Sequence, residues 1–119
     1  MIRRHTNKIF TFYVLVGFES QDEKDIENAF IRIKLLMQYR CLPYIMRYED
    51  YKKSRYRGMY VTLARWCNQP SFFKKTSFRE FAKVNASYGR KSEVQYLAEF
   101  EHDHPDIAGR YYDMKWGDI

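Results

Sequence analysis

The densest set of potential metal ligands in this sequence lies near its C-terminal end. Three consecutive residues and the carboxylates around them could contribute: His102, Asp103, His104, Glu99, Glu101 and Asp106. Imidazole and carboxylate groups suit a divalent cation. Alternate positions at the end of a helix point apart, however, and a solvated acidic segment explains the same residues. The sequence therefore predicts no metal site and no cofactor.

The two cysteines, Cys41 and Cys67, are the candidates for thiol chemistry. Cys67 lies in an aromatic segment that contains an arginine, but nucleophilic catalysis also needs a base and an orienting group, and small buried cysteines are common. Two cysteines are too few for a disulfide framework or a four-cysteine zinc site. Gly17 and Gly58 each stand alone, so no glycine-rich phosphate loop is present. These features favour a non-enzymatic protein.

Cations alternate with aromatic rings after the second predicted strand, and further cations follow along the chain. This combination holds phosphates while it stacks bases. The predicted binding residues are Arg47, Lys52, Lys53, Arg55, Tyr56, Arg57, Tyr60, Arg65, Lys74 and Lys75. Arg79 and Lys83 extend this surface if their helix lies beside the loop. The alternative is a solvated loop whose tyrosines pack against the second strand.

The net charge of +6 is unevenly distributed. Residues 1–91 carry 19 Lys and Arg against 8 Asp and Glu, whereas residues 92–119 carry 2 against 7. Such a basic region predicts an acidic partner, either a nucleic acid, a nucleoprotein or an acidic protein. Alternatively, the acidic end folds back and neutralises the basic region within one molecule or a dimer.

At 119 residues the sequence predicts a single domain. The opening residues do not resemble a signal peptide, and the longest apolar run is too short to span a bilayer. We therefore expect a cytoplasmic protein with reduced thiols and no membrane partner.

Residues 8–48 predict a βαβ unit. An apolar run that ends at Gly17 is typical of a buried strand, and Ile26, Phe30 and Ile33 recur at helical spacing. A second short apolar strand carries Pro43. Strands joined through a helix are expected to be parallel. Ser20 with Glu23 predicts a capping box at the start of the helix.

Three or four closing helices are predicted over residues 55–102, followed by an acidic tail over residues 103–119. Thr76 or Ser77 is expected to cap one helix and Gly89 to end it. Asn68 either ends a helix or fixes a backbone or partner group near the end of the second strand. Two parallel strands leave exposed edges, so we expect a homodimer through a strand edge, pairing with a strand of a partner, or C-terminal helices that cover the edges.

Several phrases, in this order, resemble the C-terminal part of radical SAM proteins: Tyr13–Phe18, Asp25, Arg32, Leu42–Tyr48, Leu63–Asn68, Phe72–Lys75 and Ser77-Phe78. The resemblance covers about residues 9 to 85 and implies the late part of a (β/α) barrel. Enzymes of that family bind a [4Fe–4S] cluster through three closely spaced cysteines, which this sequence lacks. The chain therefore resembles a radical SAM-like fragment without the cluster-binding half.

The sequence thus predicts a small basic, non-enzymatic protein that engages nucleic acid or a nucleoprotein. A phage or mobile-element inhibitor of host defence, such as an anti-CRISPR protein, has this character. The alternative is a C-terminal fragment or subunit of a radical SAM-like enzyme whose iron–sulfur cluster is bound by a partner chain.

Overall fold

A computed structural model of the chain describes residues 9–89 and 91–118. Lys8 and Ile119, the outer ends of the predicted βαβ unit and acidic tail, lie outside these residues. The described part contains two strands and six α-helices, with short 3-10 helices at Glu49–Lys53 and Trp116–Asp118. None of these helices combines the length and the apolar character needed to cross a bilayer.

The strand–helix–strand unit is present, and its strands are parallel. Strand β1 spans Thr11–Val16, helix α1 spans Glu23–Gln38 and strand β2 spans Leu42–Arg47. In the ladder, Val14 lies opposite Ile45. Parallel strands require a long crossover, and α1 supplies it while it contacts both strands. The predicted fold class, α/β with a parallel βαβ unit followed by helices, is confirmed; the partial barrel stays a prediction.

Helix α1 buries one face because its apolar residues recur at helical spacing: Ile26, Ala29, Phe30, Ile33 and Met37. The predicted capping box of Ser20 and Glu23 is wrong. The N-cap is Asp22, whose carboxylate accepts a hydrogen bond from the Lys24 N–H at 2.9 Å. Ser20 is buried instead, and its carbonyl accepts a hydrogen bond from the Ser54 hydroxyl. The loop before α1 is thereby fastened to the loop that precedes the next helix.

Five helices follow β2: α2 Arg57–Cys67, α3 Pro70–Phe73, α4 Phe78–Ser87, α5 Lys91–Asp103 and α6 Pro105–Tyr111. The sequence predicted three or four, and α3 is a single turn that begins with its proline. Of the two predicted caps, Thr76 and Ser77, the N-cap of α4 is Ser77, which forms a capping box with Glu80. Gly89 follows this helix with a φ of +96°, which suits glycine.

Aromatic rings make up much of the core. Trp66 is fully buried, and its indole N–H donates to the Thr76 carbonyl at 3.1 Å. Phe30 of α1 stacks on Tyr111 of α6 with a centroid separation of 5.5 Å, and Tyr112 is also fully buried. The segment predicted as an acidic tail therefore contributes two rings to the core.

The free edge of β2 is closed by a side chain. The Leu42 N–H donates to the Phe10 carbonyl across the ladder, so the backbone of Ile45 points the other way, away from β1. There the Asn68 carboxamide accepts from the Ile45 N–H at 2.7 Å and donates to the Ile45 carbonyl at 3.1 Å. At this one residue, Asn68 makes the hydrogen bonds that a neighbouring strand would make. Pro43 has no backbone N–H, so it leaves no donor unpaired. Asn68 is also the C-cap residue of α2, so it both ends a helix and fixes a backbone group, the two alternatives that the sequence left open.

Candidate functional site

An open cleft between α2 and α5 brings three of the predicted binding residues together. It has a volume of about 480 Å³ and is named here the arginine cleft; its lining includes Arg55, Arg57, Gly58, Thr62, Arg65, Glu93 and Tyr96. Helices α2 and α5 pack directly on each other. Three cations on or just before α2 therefore line one concave surface together with residues of α5.

The charge of the arginine cleft is positive. Its three arginines and one glutamate give a formal charge of +2. Glu93 is buried, lies 3.3 Å from the Arg65 Nε and accepts a hydrogen bond from Asn85 at 2.9 Å, so one arginine is partly neutralised. Arg57 is exposed, and no carboxylate of the described residues pairs with it. Its charge is available to a ligand.

The start of α2 adds to this positive potential. Arg57 is the first residue of the helix, and the preceding Tyr56 makes no side-chain capping bond. The first turn also lacks an acidic residue. The first N–H groups of a helix have no intrahelical partner, and the helix dipole is positive at that end. An anion in the cleft would therefore be favoured by the helix as well as by the guanidinium groups.

Tyr96 forms an aromatic wall of the cleft because Gly58 leaves room for it. A Cβ on Gly58 would lie 2.2 Å from the Cγ of Tyr96, closer than any real contact. The Tyr96 side chain is 41% exposed, so part of its ring faces solvent. The cleft thus combines cations with one accessible aromatic surface.

Arg55 is held at the rim of the cleft by contacts outside it. Its guanidinium donates to the Gln21 carbonyl at 2.9 Å, and its Cζ lies 5.0 Å from the centroid of the Tyr56 ring. A smaller cleft of about 140 Å³ also adjoins Arg55 and Tyr96 and carries the carboxylates of Glu99 and Asp103. The positive surface is therefore bounded by acidic groups on one side.

Tyr56 and Tyr60, predicted as binding residues, are buried. The Tyr60 hydroxyl donates to the Asp25 carboxylate at 2.7 Å, and the same Asp25 oxygen accepts from the Gly17 N–H at 2.8 Å. Burial, and next the hydrogen bond to Asp25, raise the pKa of Tyr60. These rings hold the core together, and in this structure neither offers a face for stacking.

Replacing Tyr60 with phenylalanine removes the hydroxyl that joins α2 to α1 and leaves the ring in place. We expect the free energy of unfolding to fall by about 1–2 kcal/mol, because a hydrogen bond to a carboxylate is lost. Urea titration measures the change. Tyr88→Phe is the matched control, since Tyr88 is 83% exposed; equal losses for both variants would contradict the role of Asp25.

The remaining predicted cations lie elsewhere on the surface. Lys52 and Lys53 are exposed on the 3-10 helix that precedes the cleft, and the Arg47 Cζ lies 4.6 Å from the centroid of the Tyr51 ring. Lys74 and Lys75 are exposed after α3, where the Lys74 Nζ lies 5.9 Å from the centroid of a Trp116 ring. Neither lysine lines the arginine cleft.

Arg79, predicted to extend the surface, is neutralised within the molecule. It donates two hydrogen bonds to Glu101 and one to Asp113, at 2.9 to 3.0 Å. These bonds raise the pKa of Arg79 and lower that of Glu101. At this position the acidic end folds back on the basic region, as the alternative interpretation held.

The side chains that were candidates for metal binding lie apart from one another, and the cysteine that was the candidate nucleophile, Cys67, is buried. His104 lies against the rings of Tyr56 and Phe100, while His102 is exposed beside Asp103. Within residues 9–89 and 91–118, no three ligating side chains converge on one point. Burial raises the pKa of the Cys67 thiol, which disfavours the reactive thiolate.

Sequence reasoning missed the α5 side of the cleft. Tyr96 and Glu93 lie on a helix whose composition is acidic, so they were not grouped with the arginines. The sequence feature that could have indicated this contact is Gly58 in the first turn of α2, because a glycine inside a helix often marks a place where another element packs closely on it.

Comparison with known protein families, with curated proteins and with solved structures returned no match. The resemblance to radical SAM proteins therefore remains a prediction.

Proposed function

We propose that this chain is a non-enzymatic binding protein whose arginine cleft takes phosphates of a nucleic acid, free or within a nucleoprotein. The observation that carries the proposal is a single cleft lined by Arg55, Arg57, Arg65 and Tyr96, which runs along α2 from just before its first residue to its last turn.

Phosphate suits this cleft for three physical reasons. Guanidinium groups match phosphate oxygens with paired donors, which an ammonium group cannot do. The Arg57 N–H donates to the Ser54 carbonyl at 3.2 Å, but the start of α2 still presents the positive end of the helix dipole. Arg57 also lacks a carboxylate that a ligand would have to displace, within the described chain.

A single-stranded ligand suits the cleft better than a duplex. Tyr96 is 41% exposed, which leaves part of its ring for an unpaired base, and stacking on aromatic side chains contributes about 1–3 kcal/mol per base. Lys52 and Lys53 lie exposed on the segment that leads into the cleft and extend the positive path for a backbone. In a duplex the bases are already stacked on each other.

Arg57→Gln tests this proposal at one position. We expect it to weaken the binding of a labelled single-stranded RNA about tenfold, because one charge-assisted phosphate contact of roughly 1.5 kcal/mol is lost. Fluorescence anisotropy at low salt measures the affinity. Lys34→Gln is the matched control: it removes the same charge from an exposed position of α1, away from the cleft.

The control distinguishes a contact between Arg57 and a phosphate from the general attraction between a positively charged protein and RNA. If both variants lose affinity equally, only the net charge matters and the cleft is not the site. If the wild-type chain fails to bind single-stranded RNA and DNA at low salt, the proposed function is wrong.

A nucleoprotein partner would place the chain among inhibitors of host defence, such as anti-CRISPR proteins. An inhibitor of this kind competes for the phosphates that a defence complex holds or exposes. The small size and the basic surface of the chain support this role. Its test is pull-down from the native host with identification of the bound protein and nucleic acid.

The parallel crossover favours a second candidate function. The β1–α1–β2 arrangement is the repeating unit of a (β/α) barrel, and this observation supports a subunit of a radical SAM-like enzyme. The partner chain would then carry three closely spaced cysteines for the cluster. Copurification with such a chain supports this function; a complex that holds only nucleic acid argues for the first.

A further inference from the structure

One face of the two-stranded sheet is apolar and uncovered by the described chain. Side chains alternate between the two faces of a strand. Val14 and Ile45 are buried on the side where α1 and α2 pack. The opposite side presents five exposed large hydrophobic side chains: Tyr13, Leu15, Tyr44, Met46 and, just past the end of β2, Tyr48.

Aromatic contacts organise this surface. Tyr13 and Tyr44 meet edge to face with centroids 5.8 Å apart, and Phe18 meets Tyr48 in the same way at 5.3 Å. Tyr13 is 72% and Phe18 68% exposed although each has an aromatic neighbour. These six side chains are named here the sheet face: Tyr13, Leu15, Phe18, Tyr44, Met46 and Tyr48.

The area of the sheet face is large enough for a specific contact. Six large side chains that are about half exposed present roughly 100 Å² each, or about 600 Å² in one copy. That is the upper end of the apolar patches found on monomers. Two copies packed face to face would bury about 1,200 Å², the lower end of stable protein interfaces.

The absence of charged residues from the sheet face indicates which kind of partner it binds. None of its six residues is charged, whereas the whole chain carries +6. Nucleic acids and acidic proteins are recognised by cations, which this face does not supply. Two copies of a basic chain repel each other over most of their surfaces, and an uncharged apolar face is where they approach at least cost.

We propose that the sheet face joins two copies of this chain in a two-fold dimer, with the two sheets stacked. A two-fold contact uses the same face on both copies and closes on itself, so it yields a dimer and not a fibre. The inference goes beyond the proposed function, and the sheet face shares no residue with the arginine cleft. The dimer would present two arginine clefts.

Sedimentation of the wild-type chain and of Tyr13→Lys across the micromolar range tests the dimer. We expect the wild type to form a dimer and Tyr13→Lys to raise its dissociation constant about a hundredfold. The two-fold symmetry places the substitution in the interface twice, and each altered contact is expected to raise the dissociation constant about tenfold. Tyr88→Lys is the matched control, because Tyr88 is exposed at the end of α4, outside the sheet face.

Several results would overturn the proposal. A wild-type monomer at all concentrations excludes the dimer. A dimer that survives both Tyr13→Lys and Met46→Lys uses another surface, such as pairing through the edge of β1. Equal loss in Tyr88→Lys would show a general effect of charge. Circular dichroism checks that each variant is folded. If Tyr13→Lys is monomeric and still binds RNA, the dimer and the arginine cleft are tested independently of each other.

Discussion

Replacing Gly58 with alanine is expected to lower the free energy of unfolding by about 1–2 kcal/mol, the overpacking cost less the helix-propensity gain of alanine, and to open the arginine cleft. The new methyl group would lie 2.2 Å from the Cγ of Tyr96. That atom is close to the helix backbone and cannot move without a shift of the whole side chain or of α5. Overpacking of this kind typically costs about 1–3 kcal/mol.

The matched control is Gly109→Ala in α6, where nothing lies within 4 Å of the added atom. Alanine in a helix is favoured over glycine, so this variant is expected to gain about 0.5–1 kcal/mol. Urea titration of both variants measures the contrast in stability. An unchanged or raised stability of Gly58→Ala would show that Tyr96 does not pack on Gly58.

The same substitution is expected to alter ligand binding. A displaced Tyr96 ring no longer forms the aromatic wall of the cleft, so affinity for single-stranded RNA should fall about tenfold, the loss expected for one stacked base. Tyr96→Ala removes the ring without overpacking and should lose a similar amount. If Tyr96→Ala binds like the wild type, the ring has no part in recognition.

Asn68→Asp is expected to destabilise the protein by about 2–3 kcal/mol at neutral pH. The carboxylate can accept from the Ile45 N–H, but it cannot donate to the Ile45 carbonyl. The hydrogen bond to the Ile45 carbonyl is lost, and this partly buried acceptor is left unpaired. Its oxygen also faces a carboxylate oxygen of the new side chain. The edge of β2 loses the group that replaces a neighbouring strand.

The pH dependence of this variant has a definite sign. The facing carbonyl disfavours the charged form of the new carboxyl, so its pKa in the folded state is expected to lie above the unfolded value of about 3.9. The protonated acid can donate to Ile45. The deficit relative to the wild type should therefore shrink as pH falls through the folded pKa and be largest above it.

Asn28→Asp provides the control for Asn68→Asp, since Asn28 is exposed on α1. It is expected to change stability by less than about 0.5 kcal/mol. Urea titrations of both variants and the wild type across the acid range give the comparison. A deficit that stays constant with pH, or that is equal in both variants, would contradict the edge-closing role of Asn68.

The βαβ unit could be predicted because its pattern is local. Ile26, Phe30 and Ile33 fall on one face of a helix, and the apolar runs on either side have the length of strands. The capping box of Ser77 and Glu80 is likewise a local signal, and it is present. The box at Ser20 failed because the buried loop uses that residue for a contact with Ser54, which is distant in sequence.

The burial of Tyr56 and Tyr60 could not be read from their positions among cations. A tyrosine among arginines has the same local signature whether it stacks on a ligand or packs in a core. Only the tertiary contact between Tyr60 and Asp25 of α1 distinguishes the two cases. The same holds for Arg79, whose charge is cancelled by Glu101 and by Asp113 of the C-terminal segment.

The arginine cleft required two helices that are separated in sequence. Arg57 and Arg65 lie two turns apart on α2, so their common face could be expected from helical spacing. Tyr96 reaches that face only because α5 packs on the small surface of Gly58. Composition places α5 with the acidic end of the chain, which concealed its contribution.

The salt dependence of single-stranded RNA binding tests the central claim most directly. Three arginine–phosphate contacts predict a slope of about −2 in a plot of the logarithm of the affinity against the logarithm of the salt concentration. Affinity should fall about fifteenfold between about 50 and 200 mM salt, and Arg57→Gln should reduce the slope to about −1.4. A slope near zero in the wild type, or an unchanged slope in Arg57→Gln, would contradict phosphate binding in the arginine cleft.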